Sequence, residues 1–347
     1  MQTPKLERVA AGYVFPPGAA GLAMTVEQPS TGFSWRNGET QRPYFIASIT
    51  KLFTTALIVQ LSEEHKLALD TRASDLLGCD TMAGLNIYDG RDFGSQVTIG
   101  ELLAHTSGIP DYFEQKRPDG ETVLADLLKE DRGWSFEELL SISRSMKGRF
   151  APSTPGKAFY SDTNYMLLGR IVETLAGCSY ENALRSRILQ PLALEDTWLF
   201  TPSRLDRYSD VTAVMYRNTP LHSPKALASF AAEGAIVSTM RDQIRFLRAF
   251  VGGELFSKAS LERMTAQWRS IFSPLVPLSY GVGVMRFSIP RWQSPFFPVP
   301  AMIGHSGVFG AMLFYVPDRD LYIAGTVNQM VPRSLSYRLL VRIALAF

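Results

Sequence analysis

The sequence predicts an α+β fold: one sheet, built from strands near both ends of the chain, that closes on itself, with a mostly helical insertion. Three observations point there. Residues 9 to 36 hold short apolar runs broken by Gly and Pro, "GLAMTVEQ" and "TGFSWRNGE" among them. From about 71 to 225 the pattern is mainly helical, with long loops. After "STMRDQIRFLRAF" strand-like runs return, "LSYGVGVMRF", "GAMLFYVP" and "DLYIAGTVNQ", before a helical end, "RSLSYRLLVRIALAF". The expected organisation is a discontinuous sheet region, 1–70 and 226–347, a helical region, 71–225, and an active site in the cleft between them.

Element by element, the stretch "RPYFIASITKLFTTALIVQL" reads as a core helix after its opening residues. Ile49, Leu52, Phe53, Ala56, Leu57 and Leu61 follow the i, i+3, i+4, i+7 rule. Its lysine, Lys51, is therefore anomalous, because a buried ammonium is costly unless paired or hydrogen-bonded. Ser48 stands one turn earlier on the same face. Further along, Thr98 to Glu101 and Ser135 to Glu138 carry capping-box patterns, and "TNYMLLGRIVETLAG" is an amphipathic helix that stops at Gly177. "SYENALRSRILQPL" reads as the next helix. Asp318, Arg319 and Asp320 form the turn between the last two strands.

Bulk properties narrow the function. At 347 residues, 46% hydrophobic and 20% charged, the chain is that of a globular protein with ample core. A net charge of +2 without a Lys/Arg cluster gives no case for nucleic acid. No apolar run reaches the 18 residues of a membrane span. The start, "MQTPKLERVAAGYVF", has no signal-peptide pattern. The expected location is cytoplasmic as written, or periplasmic or secreted where a leader is removed. Cys79 and Cys178 admit one disulfide, with free buried thiols the simpler reading. Four histidines without metal-ligand spacing predict no catalytic metal, and no cofactor is called for.

A serine beside free N–H groups at a helix start sits where negative charge is favoured, and a lysine at i+3 can exchange protons with it. S-x-x-K alone recurs by chance in many helices. Two further stretches add weight. "FYSDTNYMLLG" sets Tyr160, Ser161 and Asp162 just before a helix, and "MIGHSGVFGAMLFYVPDRD" sets His305, Ser306 and Gly307 on or beside a strand. In this order the three resemble the S-x-x-K, Y-x-N and K-T-G or H-x-G motifs of the serine β-lactamase and penicillin-binding protein family. The likeness is to its class C β-lactamase-like branch, which includes DD-peptidases, D-amino-acid hydrolases and family VIII-type esterases. "LLAHTSGIPDY", "EGAIVSTMRDQIRFL" and "YGVGV" look like that branch's framework, so the resemblance runs from about 20 to 345.

The resemblance implies a β-lactamase/DD-peptidase-like fold, an antiparallel sheet flanked by terminal helices. It makes Ser48 the acylated nucleophile, Lys51 its proton partner, Tyr160 the general base and His305 the substitute for the third motif's cation. The backbone N–H groups of Ser48 and Val308 would form the oxyanion hole. Asp162, Tyr112, Ser306 and Gly307 would meet a small ester, amide or β-lactam-like substrate. Two departures refine this. Asp162 replaces the usual Asn, and beside Lys51 it would keep the lysine protonated and leave Tyr160 as the base. Asp162 is equally a candidate N-cap. His305 replaces a lysine, and a neutral imidazole anchors carboxylates poorly, which favours esters over β-lactams. Arg286 or Arg291 could supply the missing cation.

Plainer roles are expected elsewhere. His105 reads as framework, and His65 and His222 as surface residues. Trp292, Phe296 and Phe297 read as a packed loop before an acyl-group wall or a subunit contact. "GHSGV" is not G-x-S-x-G, because Val308 stands where the second glycine is required. The expected function is a serine hydrolase acting on esters or small amides, with a DD-peptidase or β-lactamase next. A non-catalytic binding or scaffold relative should have lost the serine, lysine or tyrosine, and all three are present.

Overall fold

The computed structural model describes residues 2–13, 15, 21–273 and 275–347. Its centre is an eight-stranded antiparallel sheet. The strands are β1 (Ala23–Gln28), β2 (Phe33–Asn37), β3 (Arg269–Ser270), β4 (Leu278–Tyr280), β5 (Met285–Phe287), β6 (Met302–Ser306), β7 (Ala311–Val316) and β8 (Leu321–Thr326). Their order is β3-β4-β5-β6-β7-β8-β1-β2, so the N-terminal hairpin pairs with the last strand, Ala23 opposite Thr326. The α+β expectation holds.

Both sheet faces are covered, which explains why β7 and β8 read as continuous apolar runs. Along β7, Ala311 and Leu313 join one core while Met312, Phe314 and Val316 join another, the period-two alternation of a strand. The first core contains α2 (Thr50–Glu63), whose Leu52, Phe53, Ala56 and Leu57 are fully buried. The second is closed by two terminal helices, α1 (Gln2–Ala11) and a C-terminal helix, Ser334–Ala344. Helix α1 corrects the expectation of strands from residue 9. Leu6, Val9 and Ala10 recur at helical spacing and pack into the core that the C-terminal helix also lines.

Between the sheet's two sequence segments lie α3 (Ile99–Leu103), α4 (Phe136–Arg144), α5 (Asp162–Ala176) and α6 (Met240–Gly252), with the C-terminal helix as α7. Both expected capping boxes are formed, Thr98 with Glu101 and Ser135 with Glu138. Gly177 ends α5 in the left-handed conformation. No helix among the described residues is long and apolar enough to cross a membrane. His65 and His222 are exposed, whereas Cys79, expected buried, is an exposed free thiol and Cys178 a half-buried one. The loop expected to pack is open: Trp292, Phe296 and Phe297 are 68%, 87% and 69% exposed. Its prolines restrict it locally without offering a partner surface.

Candidate active site

Ser48 lies in a short 3-10 turn, Ala47–Ile49, one step ahead of α2. Ala47 has φ +47°, a left-handed conformation costly for a residue with a Cβ and common at functional turns. The turn is held from both sides. Ile46 donates its N–H to Ile236, and Tyr44–Phe45 pairs with Ile236–Ser238. On the other side Gly307 approaches so closely that a Cβ there would meet the Ile46 carbonyl at 2.6 Å and the Ala47 Cβ at 2.9 Å. Only glycine lets the end of β6 reach the serine's turn.

Lys51 has no exposed surface. Its Nζ donates to Ser48 Oγ at 3.2 Å, to the Glu233 carbonyl at 2.8 Å and to Asp162 Oδ1 in a short ion pair. Three acceptors match the three hydrogens of an ammonium. The anomalous lysine is thus fully partnered, and its first partner is the serine.

Asp162 is the first residue of α5, where the helix dipole favours a carboxylate. It is not the N-cap; Ser161 takes that place, and its hydroxyl bonds the Pro110 carbonyl. Burial raises the Asp162 pKa, and Lys51 opposes the rise. Two further buried carboxylates escaped the sequence reading. Asp111 accepts the N–H of Asp162 at 2.8 Å and that of Glu114 at 2.7 Å; burial and the Asp162 charge raise it to about 7. Glu233 accepts the Tyr112 hydroxyl at 2.6 Å and is raised by burial to about 7. No local pattern ties either residue to the site: Asp111 meets Asp162, and Glu233 meets Tyr112, across more than 50 positions of sequence.

Tyr160 comes to the same place. Its ring lies 5.2 Å from Lys51 Nζ and 4.4 Å from the buried ring of His105. Burial and the Asp162 charge push the phenol well above its usual pKa, while interaction with Ser48 pulls it down. His105 fits its framework role, accepting the Ser161 N–H at 3.2 Å beneath the tyrosine.

Two site expectations need correction. His305 is fully buried and does not line the cleft; its Nε2 meets the Tyr280 hydroxyl at 3.0 Å. Burial lowers its pKa to about 3, so it is neutral and takes no cation's place. Tyr112 is also fully buried, its hydroxyl spent on Glu233, and its neighbours Asp111, Phe113 and Glu114 line the cleft instead. Neither Arg286 nor Arg291 reaches the cleft. Arg286 lies over Trp268, 5.5 Å from the ring centre. Four arginines border the cleft instead, Arg149, Arg333, Arg338 and Arg342; Arg333, just before α7, forms a two-point ion pair with Glu114 at 2.7 and 2.9 Å.

Ser48, Tyr160, Asp162, Ser306, Gly307 and Val308 border one cleft of about 1040 Å³. Much of its lining is apolar, with Phe272, Val276, Leu278, Met285 and Phe287. Ser306 turns its hydroxyl to Tyr337 at 2.5 Å. A nucleophile, an amine, a phenol and backbone N–H groups around one cleft can carry out acyl transfer.

The family model described as Beta-lactamase matches residues 17–346. The chain belongs to the beta-lactamase family. Among curated relatives of this beta-lactamase-family chain, Penicillin-binding protein 4 of Amycolatopsis lactamdurans is 28% identical over 304 residues, covering 83% of this chain and 72% of its own. Penicillin-binding protein 4* of Bacillus subtilis (strain 168) is 26% identical over 276 residues, covering 71% of this chain but 52% of its own, so the chain matches only about half of that relative's length. The solved D-amino acid amidase from Ochrobactrum anthropi SV3 superimposes with a TM-score of 0.77 at 21% identity, over all of both chains.

Proposed function

We propose that this member of the beta-lactamase family is a serine hydrolase that works through an acyl-enzyme on Ser48, with esters and small amides as substrates. The observation that carries the reading is Ser48 Oγ at 3.2 Å from a buried, triply partnered Lys51 on the border of a large, mainly apolar cleft. Ser48 attacks the substrate carbonyl, and the oxyanion takes hydrogen bonds from the N–H groups of Ser48 and Val308, each worth about 3 kcal/mol to the transition state. Tyr160 rests as a phenol, since burial and Asp162 oppose its ionisation. It therefore takes the Ser48 proton only as it gives its own to the leaving oxygen or nitrogen. Lys51, held by Asp162, stabilises the negative charge that develops on both oxygens. Water then follows the same path in reverse and releases the acid.

The names of the relatives bring a second reading, a penicillin-reactive DD-peptidase or β-lactamase. The buried, neutral His305 weighs towards esters, because it offers no charge to a substrate carboxylate. Hydrolysis of p-nitrophenyl butyrate, measured beside nitrocefin and a fluorescent penicillin, separates the two. Ester turnover lost in Ser48→Ala is the expected result. Stable penicillin labelling without ester turnover supports the second reading, and no reaction with any acyl probe supports a non-catalytic scaffold.

A further inference from the structure

Next to the cleft lies a second cavity of about 570 Å³ whose lining is rich in hydrogen-bond donors. Arg217, Arg338 and Arg342 border it, with Asn218 and Gln329, and no Asp or Glu does. None of the three arginines has a carboxylate within ion-pair distance among the described residues, and the residues not described carry no acidic side chain. Gln329 is only 6% exposed, and its Nε2 has no partner among the described residues. Unlike Arg333, which Glu114 neutralises, this cluster is uncompensated.

The fold brings the three arginines to the border of one cavity, with the Arg342 guanidinium over the Tyr13 ring at 5.3 Å and that of Arg217 over Tyr216 at 5.4 Å. Arg338 and Arg342 are one turn apart on α7, and Tyr337, the partner of Ser306, directly precedes Arg338. Arg217 occupies the turn between Met215–Tyr216 and Thr219–Pro220, at φ +57°. That hairpin is tied to the segment after β8 by the Met215 N–H to Asn328 at 2.7 Å and the Met330 N–H to Met215 at 2.9 Å. Gln329, Pro332, Arg338 and Arg342 border both cavities, so the arginine pocket adjoins the catalytic cleft. At 1.5 Å rise per residue, Arg342 lies roughly 8 Å along α7 from Tyr337.

We propose that this pocket binds the phosphate group of the substrate, so that the protein prefers esters with an apolar acyl part and a phosphorylated alcohol as leaving group. Three guanidinium groups offer planar pairs of N–H donors and more charge than one carboxylate uses, whereas a phosphate dianion presents three acceptor oxygens. The acyl part lies on the Phe272–Phe287 wall. Ser48 Oγ bonds to the carbonyl carbon, the carbon–oxygen bond to the alcohol breaks, and that oxygen leaves with the proton of Tyr160, which takes up the Ser48 proton in exchange. Water then cleaves the acyl-serine to the free acid, so no further reactant is consumed. The proposal rests on the hydrolase reading above.

The test compares kcat/KM of the full chain at low salt for the octanoyl esters of ethylene glycol, of its monophosphate and of glycolic acid. The phosphorylated ester is expected to exceed the neutral one at least tenfold, and the carboxylated one clearly. The advantage should shrink towards 1 in Arg338→Gln/Arg342→Gln and in Arg217→Gln, and at raised salt. Equal rates, a carboxylated ester as good as the phosphorylated one, or an advantage that survives in these variants overturns the proposal. Inorganic phosphate should compete with the phosphorylated ester; activation of the neutral ester instead would mark a separate effector site and overturn it too. Titration of Ser48→Ala with the neutral and the phosphorylated ester keeps the two readings apart. If no ester is turned over the hydrolase reading falls, while tighter binding of the phosphorylated ester, lost in the arginine variants, still supports the pocket and its absence overturns it.

Discussion

Replacing Asp162 with Asn tests the electrostatic centre of the site. In the native chain, burial raises the Asp162 pKa despite Lys51, so the ion pair is not a net source of stability by itself. Removing the anion alone is a different matter. Lys51 has no exposed surface, and Asp162 is its only carboxylate contact among the described residues. Taking one partner from a buried pair costs about 3 to 5 kcal/mol; the Asn oxygen still accepts a hydrogen bond, which places this variant near 3 kcal/mol. Urea unfolding at pH 7 should show that loss. The pH profile of ester kcat/KM should change as well. Protonation of Asp162, brought closer to neutrality by burial, gives the native enzyme an acidic limb that the Asn variant lacks. A variant within about 1 kcal/mol of native stability at every pH, with the acidic limb unmoved, would refute the reasoning.

Two other outcomes follow from the same geometry. Gly307→Ala drives a Cβ against Ile46 and Ala47, and should cut ester kcat at least tenfold through the displaced serine turn, against a stability loss of about 1 to 3 kcal/mol; unchanged kcat would show that the turn tolerates the shift. Glu233, raised to about 7 in the fold from an ordinary value of 4.5, is easier to keep protonated folded than unfolded. Its contribution to stability is complete below about pH 4.5 and disappears as pH rises through 7, a change of roughly 3 kcal/mol, so Glu233→Gln should flatten the stability curve over that range. Denaturation midpoints from pH 4 to 8 check it, and an unaltered slope would count against a buried, protonated Glu233.

What could be read in advance was what depends on local spacing. Ser48 and Lys51 are three residues apart, and the apolar run around them makes a lysine conspicuous. Tyr160 was legible through the motif before α5, and both capping boxes through their three-residue period. The chain alone could not give orientation. His305 sits at the expected strand position, yet its ring faces Tyr280 behind the cleft. Tyr112 lies in the expected segment, yet turns into the core where Glu233 holds it. Asp111, Glu233 and the arginines at 217, 338 and 342 gain their meaning only where distant segments converge, so no one-dimensional pattern announces them.

The most direct measurement is the mass of the intact protein after reaction with a p-nitrophenyl alkylphosphonate, followed by peptide mapping of the adduct. The account predicts one phosphonyl group per chain, carried on Ser48 and absent from Ser48→Ala, with labelling slowed at least a hundredfold in Tyr160→Phe. An adduct on Ser306 or elsewhere, or labelling that survives the loss of the Ser48 hydroxyl, would contradict it.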